Sequence, residues 1–202
     1  MFTRWVLGVT GSIASGKSLV ANCMVEMGAA LVSADSIARE VVQPGEGTLA
    51  ELVALFGDDI LNSAGELDRG RLAGIVFRDP DKRRQLNAIM HPAIARISEQ
   101  RLRDLRRSKV PLIVYEAPLL FEAGAENRVD RILTVFIDPE SQLDRLCARD
   151  AISREAARAR VDAQWRQHEK ISRSDYVIDN SGSIEETCRA VGDLFHYLTS
   201  TL

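Results

Sequence analysis

A short apolar run, Trp5 to Val9, leads directly into Gly11-Ser12-Ile13-Ala14-Ser15-Gly16-Lys17-Ser18, a match to G-x-x-x-x-G-K-[ST]. Glycines at both ends let the backbone curl into a nest whose N–H groups converge on phosphate oxygens. A helix has to begin where the loop ends, so that the positive end of its dipole faces the same anion. Lys17 then reaches the β- and γ-phosphates of a bound triphosphate, and the Ser18 hydroxyl is placed to ligate Mg²⁺. Strand, loop and helix in that order commit the chain to an α/β sandwich with a mainly parallel sheet, its ligand at the carboxyl ends of the strands. A plain Gly/Ser turn is the competing reading of the same letters.

The rest of the chain continues the alternation. A helix follows the loop to Met27 and ends at Gly28; Ala30 to Val32 is a short buried strand, and a helix capped by Asp35 runs to about Val42. Leu49 to Phe56 is helical, 58–67 is turn-rich, and Asp68 caps a helix whose apolar face is Leu72, Ile75, Val76 and Phe77. Asp79-Pro80 starts another, interrupted at His91-Pro92 and resumed to about Lys109. Pro111 to Tyr115 and Arg131 to Ile137 are continuous apolar strands. Asp138-Pro139 and Ser153 open two helices, Tyr176 to Ile178 is a fifth strand, and a helix from Ile184 ends the chain. The expected domain is single: a core of 1–39, 110–139 and 174–202, a helical insertion of four or five helices at 40–109, and a helical, Arg-rich lid at 140–173.

Bulk properties narrow the partners. A net charge of −3 supplies no basic field for nucleic acid or an anionic membrane, and no apolar run is long enough to span a bilayer. The start of the chain carries no signal-peptide pattern, and Cys23, Cys147 and Cys188 read as free thiols. Those features make the cytoplasm the expected compartment, with a monomer or small homo-oligomer as the expected state. The cations are 22 Arg against 4 Lys. Arginine's planar fork suits phosphorylated substrates, but a GC-rich genome gives the same bias, so only the positions of the arginines are informative.

A P-loop specifies a nucleoside triphosphate but not a second substrate. No Asn is followed by Lys, so the guanine-reading N-K-x-D of GTPases is missing, and 202 residues suit a small-molecule kinase better than a large ATP-driven machine. Such a kinase needs a carboxylate at the acceptor hydroxyl, a Mg²⁺ site and cations over the transferring phosphoryl group. Asp35, ending the second strand, has the position of the base, although it also suits a helix cap. Glu116, ending the third strand, has the position of an acid that holds Mg²⁺ or its waters; a solvated strand end is the alternative. Arg145 and Arg149 share one helical face at i, i+4 and could close over the phosphates, or simply face solvent beside Asp144, Asp150 and Glu155.

These residues resemble a known family. Ser33-Ala34-Asp35-Ser36-Ile37-Ala38-Arg39-Glu40-Val41-Val42 with Pro44-Gly45 is similar to the D-A-D-x-I-A-R-x-V-V-x-P-G segment of dephospho-CoA kinases. The likeness continues through Phe56-Gly57, Leu67-Asp68-Arg69, Val76-Phe77, Leu86-Asn87 and His91-Pro92. It also covers Pro118-Leu119-Leu120-Phe121-Glu122, Gln142-Leu143-Asp144-Arg145-Leu146 with Arg149, and Val177-Ile178-Asp179-Asn180. The resemblance implies ATP- and Mg²⁺-dependent phosphorylation of the ribose 3′-hydroxyl of dephospho-CoA. It implies Asp35 as base, Gly11 to Ser18 with Leu19 and Asn180 on ATP, and Ser18 and Glu116 on Mg²⁺. Arg145 and Arg149 fall in its lid, and Asp35, Arg39, His91 and Glu116 on its acceptor side, with 40–109 as the CoA-binding part. His91 also fits a packing role beside a helix kink. Four positions depart from the family pattern: Ser12 and Ala14 replace glycines, Ser33 replaces the first Asp, and Glu116 stands where Asp is frequent. Position 14 must therefore avoid a conformation open only to glycine. Another small-molecule kinase of the same architecture, or an ATP-binding module without catalysis, are the rival readings.

Overall fold

The computed structural model describes residues 4–200, which form two compact units. One is built from the described residues up to Ser33 and from Arg101 onward; the other is Ala34–Gln100.

The first unit holds a five-stranded, wholly parallel sheet in the order β2-β3-β1-β4-β5, with β1 at Val6–Thr10, β2 at Ala30–Ser33, β3 at Ile113–Glu116, β4 at Arg131–Phe136 and β5 at Tyr176–Asp179. The central strands β1 and β3 are buried at every position, as continuous apolar runs between two helical layers must be. β2 was expected to be buried but is an edge strand, and only its Val32 is fully covered. Helices α1 (Lys17–Glu26) and α9 (Ile184–Ser200) pack on the sheet. Val20, Met24, Val191, Phe195 and Leu198 meet Leu7, Val9, Leu133 and Val135 in one core cluster. The stretch between β4 and β5 folds as α6 (Pro139–Asp150), α7 (Arg154–Asp162) and α8 (Gln167–Ile171). Asp138 and Ser153 cap the first two, accepting from Ser141 N–H and Ala156 N–H. A satellite core of Leu143, Leu146 and Ala157 joins α6 to α7.

The second unit begins with α2 (Ala34–Glu40) and α3 (Gly47–Phe56), then a short 3-10 turn at Asp58–Ile60 and α4 (Arg69–Arg78), capped by Asp68 through Arg71 N–H. α5 (Pro80–Arg106) starts in this unit and runs past its boundary. Four sequence expectations need correction here. Asp35 is not the cap of α2 but lies inside its first turn. Phe77 is 60% exposed, so it is not part of α4's packed face. α5 continues unbroken through Pro92, and α3, α4 and α5 stand where four or five helices were expected. An internal proline costs about 3 kcal/mol through one lost N–H and a ring clash, but a helix of 27 residues keeps its remaining ladder and absorbs that cost.

The cysteines also differ from expectation. Cys23 on α1 and Cys188 on α9 are paired as a disulfide with Cα atoms 6.0 Å apart, leaving Cys147 as the free thiol. Sequence spacing gave no sign of this, because the pair is made by helix packing across a separation of 165 residues. Among the described residues no helix is long and apolar enough to cross a membrane.

Candidate active site

The loop between β1 and α1 takes its shape from two glycines. Gly11 has φ 150, and a Cβ there would lie 2.5 Å from the Val135 carbonyl oxygen. Gly16 has φ 89, and a Cβ there would lie 1.9 Å from Asn180 Nδ2. Neither position has room for a side chain. Ala14 has φ 60, in the small left-handed well that an L residue reaches at some cost. The expectation that position 14 avoids a conformation open only to glycine is thus met, since this well, though left-handed, admits alanine. The Ala14 methyl compensates by packing, with Ile13, against the α6–α7 satellite core.

α1 begins at Lys17 with Gly16 as its cap residue and no side-chain cap, so the helix start is left to an anion. Lys17 is buried, and its Nζ donates to the Ser12 carbonyl at 2.9 Å. Ser18 Oγ donates to Glu116 Oε1 at 2.7 Å. Glu116 is 8% exposed and closes β3, in register with Val9 of β1 and Ser33 of β2. Thus the hydroxyl and the carboxylate expected to hold Mg²⁺ are in contact. Both are hard oxygen donors, and Mg²⁺ is usually held by one or two such groups together with phosphates and water. Among the described residues no cluster of three or more His, Cys, Asp or Glu offers an all-protein metal cage.

Asn180 follows β5 and is 2% exposed. Its Nδ2 donates to the Ser15 carbonyl at 2.8 Å, and its Oδ1 accepts from Thr187 Oγ1 at 2.9 Å. The Pro118–Glu122 segment is tied down from α8. Lys170, 0% exposed, donates to the Pro118 carbonyl and to Glu122 Oε1, each at 2.8 Å. Phe121 stacks on Trp165 at 5.9 Å, with the Arg173 guanidinium over both rings.

The arginines of α6 are exposed. Arg149 Nε donates to Asp150 Oδ1 at 2.7 Å, and Arg160 pairs with the same carboxylate. The hydrogen bond from Arg149 holds the Asp150 carboxyl below its ordinary range, and Asp150 in turn raises the Arg149 pKa. Arg154 bridges Asp144 and Glu140 in the same way. Arg145 lies one turn before Arg149 on the same helix. A cavity of about 1100 Å³ lies against these helices, lined by Ser12, Gln142, Gln164, Trp165, Arg166 and Arg173 among others.

The second unit carries the remaining candidates. Asp35 and Arg39 sit at opposite ends of α2, both exposed. The Arg69 guanidinium reaches the Ala38 carbonyl at 3.3 Å. Its pKa is lowered, first by burial and then by Arg39, while Asp35 works in the opposite direction. Asp35, Arg39 and Arg69 therefore share one electrostatic environment. His91 is half-buried on the unbroken α5, so no helix break surrounds it. Arg69 and Gln142 lie within the segments that resemble the family, Gln164 and Lys170 outside them, and the sequence alone assigns none of the four a role. The partners of these side chains lie far away in the chain, so no local pattern marks them.

Known proteins resemble this chain over most of its length. The sequence profile described as dephospho-CoA kinase matches residues 5–186. A dephospho-CoA kinase of Geobacter metallireducens is 51% identical over 186 residues, 92% of this chain and 92% of that protein. One of Syntrophotalea carbinolica is 49% identical over 182 residues, covering 90% of this chain and 86% of its own length. Among solved structures, a dephospho-CoA kinase from Campylobacter jejuni superposes with a TM-score of 0.73 at 28% identity, over 97% of this chain and 98% of the other.

Proposed function

The chain belongs to the dephospho-CoA kinase family, and from that premise we propose how its residues divide the work. The reaction is phosphorylation of the ribose 3′-hydroxyl of dephospho-CoA by ATP, giving coenzyme A and ADP in the last step of coenzyme A synthesis. The contact of Ser18 with Glu116 beside the buried Lys17 carries the residue-level reading, because it gathers a metal-binding pair and a phosphate cation at one sheet edge.

P-loop N–H groups and Lys17 hold the β- and γ-phosphates, with Lys17 exchanging the Ser12 carbonyl for phosphate oxygens. Ser18 and Glu116 are the residues that would hold Mg²⁺. Mg²⁺, when bound, neutralises charge on the β- and γ-oxygens and fixes their orientation. Asp35 accepts the hydrogen bond of the ribose 3′-hydroxyl and takes its proton as the new O–P bond forms. Arg39, with Arg69 next to it, supplies positive charge suited to the phosphates of the acceptor. His91 contributes from α5, within a helical insertion at 40–109 that binds the CoA moiety.

Arg145 and Arg149 belong to a lid at 140–173 and stabilise the charge of the loose phosphoryl transition state. Asn180 serves the nucleotide site by bracing Ser15 rather than by touching the base, since both ends of its amide are engaged. The ATP pool makes the cytoplasm its place of work. A coupled assay of ADP release tests the reading: dephospho-CoA should be phosphorylated far more efficiently than nucleosides or nucleoside monophosphates. Equal or better turnover of those acceptors would sink it.

A further inference from the structure

Ile13, in the middle of the P-loop, is gripped by two glutamines from the helical stretch after β4. Its N–H donates to Gln164 Oε1 at 2.8 Å, and its carbonyl accepts from Gln142 Nε2 at 2.7 Å. The Ser12 hydroxyl links the two side chains: it accepts from Gln142 Nε2 at 2.7 Å and donates to Gln164 Oε1 at 3.4 Å. Gln167 braces Gln142, donating to its Oε1 at 3.4 Å. Gln167 also holds both backbone groups of Ile137, accepting from the N–H at 3.1 Å and donating to the carbonyl at 2.9 Å. Ser12 and Gln142 are each 1% exposed.

A carboxamide carries a donor and an acceptor together, so it can pair with a peptide group much as a neighbouring strand would. Here one residue has its N–H, its carbonyl and its side chain all held by α6, α7 and the segment leading to α8. The neighbouring Ala14 sits in the left-handed well, a conformation that persists only when its surroundings enforce it. A phosphate nest whose backbone is already fixed spends less binding energy on ordering when its ligand arrives.

We propose that Gln142 and Gln164 are positioning residues for the phosphoryl donor, a glutamine clamp that holds the P-loop at Ile13 and couples it to the helices at 140–173. The clamp rests on the reading of this loop as the ATP site. Ser12, which stands where the family pattern has glycine, adds a hydroxyl link between the two glutamines.

The test is titration calorimetry with MgATP alone, and separately with dephospho-CoA alone, on wild type, Gln164→Leu and Gln142→Leu. Leaving the Ile13 N–H without its acceptor should raise the Kd for MgATP about tenfold. The Kd for dephospho-CoA should stay within about twofold and the melting temperature of Gln164→Leu nearly constant, because that side chain is only half-buried. The double variant should lose less than the product of the single losses, since both side chains hold the same peptide. An unchanged Kd for MgATP overturns the clamp. So does equal weakening of both ligands with a fall in melting temperature, which marks general loosening. Should the buried Gln142→Leu fail to fold, Gln164→Leu decides alone. Wild type that binds MgATP but leaves dephospho-CoA unphosphorylated defeats the acceptor reading while the clamp stands or falls on its own numbers. Wild type that does not bind MgATP defeats both.

Discussion

The phosphate cradle and the arginine face of α6 are both rich in donors, yet they are organised in opposite ways. In the cradle, Lys17, Ser12, Ser15 and Glu116 are buried; Lys17 bonds to the loop backbone, Glu116 to Ser18, and the Ser12 hydroxyl to the neutral Gln142 and Gln164. On α6, Arg149 is exposed and engaged with Asp150 in a contact that solvent competes for. The buried Lys17 has only a neutral carbonyl, that of Ser12, to exchange when the ligand comes. Exposed arginines are held by acids from which they must be exchanged. The cradle should therefore determine how ATP is held and aimed, and the arginines how fast the aimed phosphoryl group transfers.

Asp35 belongs to neither region, and replacing it tests whether the two suffice. Asp35→Asn should bind both substrates yet lose about 10²–10⁴ in kcat, the usual worth of general acid–base catalysis. Because Asp35 lies in the first turn of α2 and not at its cap, the substitution also removes a favourable dipole interaction of about 0.3–1 kcal/mol, a small drop in melting temperature. Near-normal turnover would end its role as base.

The contrast itself is broken most directly from the lid side. Arg145→Ala combined with Arg149→Ala should lower kcat by about 10³, the low end of known arginine fingers, with little change in KM. A rise in KM alone would make them binding residues and erase the distinction. The Asp150 pairing adds a pH signature. Its carboxyl is depressed in the folded state, so the stability it lends is complete above the ordinary Asp pKa of about 3.9 and fades as pH falls through the lower folded value. Asp150→Asn should remove that acid-side loss in a pH series of melting temperatures.

From the cradle side, Lys17→Ala should reduce kcat by roughly 10²–10³, as removal of one preorganised donor does, while the melting temperature holds. Retention of more than about a tenth of the rate would contradict the aimed cradle. Glu116→Gln should raise the Mg²⁺ concentration for half-maximal rate about 10–100-fold, the range seen when a ligand's partner is lost. An unchanged Mg²⁺ requirement would show that the Ser18–Glu116 contact is only structural. The smallest effect is expected from Ala14→Gly, which relieves a left-handed alanine and deletes a methyl from the α6–α7 satellite core. These oppose, so the melting temperature should move by no more than about 2 °C. A large fall would mean that this methyl anchors α6 and α7.

What could be read from the sequence was what short-range chemistry dictates. The caps at Asp68, Asp79, Asp138 and Ser153 all hold N–H groups two or three residues on, and each was visible as a polar residue before a helical pattern. The P-loop and all five strands were visible for the same reason. Long-range choices were not. Whether Ala30–Ser33 is central or at an edge depends on which strand lies beside β3, and the run of letters is the same in either case. Pro92 looked like a helix break because the energy of the whole helix was not in view. Within the site, Lys17, Ser18 and Glu116 were readable from position at strand ends, whereas the Gln164–Ile13 bond exists only because the chain returns to the loop after 151 residues.

The hydrogen bond between Ser15 and Asn180 has a temporal side. The P-loop is synthesised well before its support, because its Ser15 carbonyl is held by a residue that follows β5, 165 positions later. The central strand β1 likewise finds its two neighbours, β3 and β4, only in the second half of the chain. A fold closed by such distant pairings is slow to form, because the loop entropy has to be overcome before any native contact compensates it. Nascent chains stalled before residue 180 therefore carry the whole phosphate-binding motif without one of the contacts that shape it. Nucleotide binding should emerge abruptly during synthesis, once the segment that carries Gln164 and Asn180 completes a site whose loop was made long before.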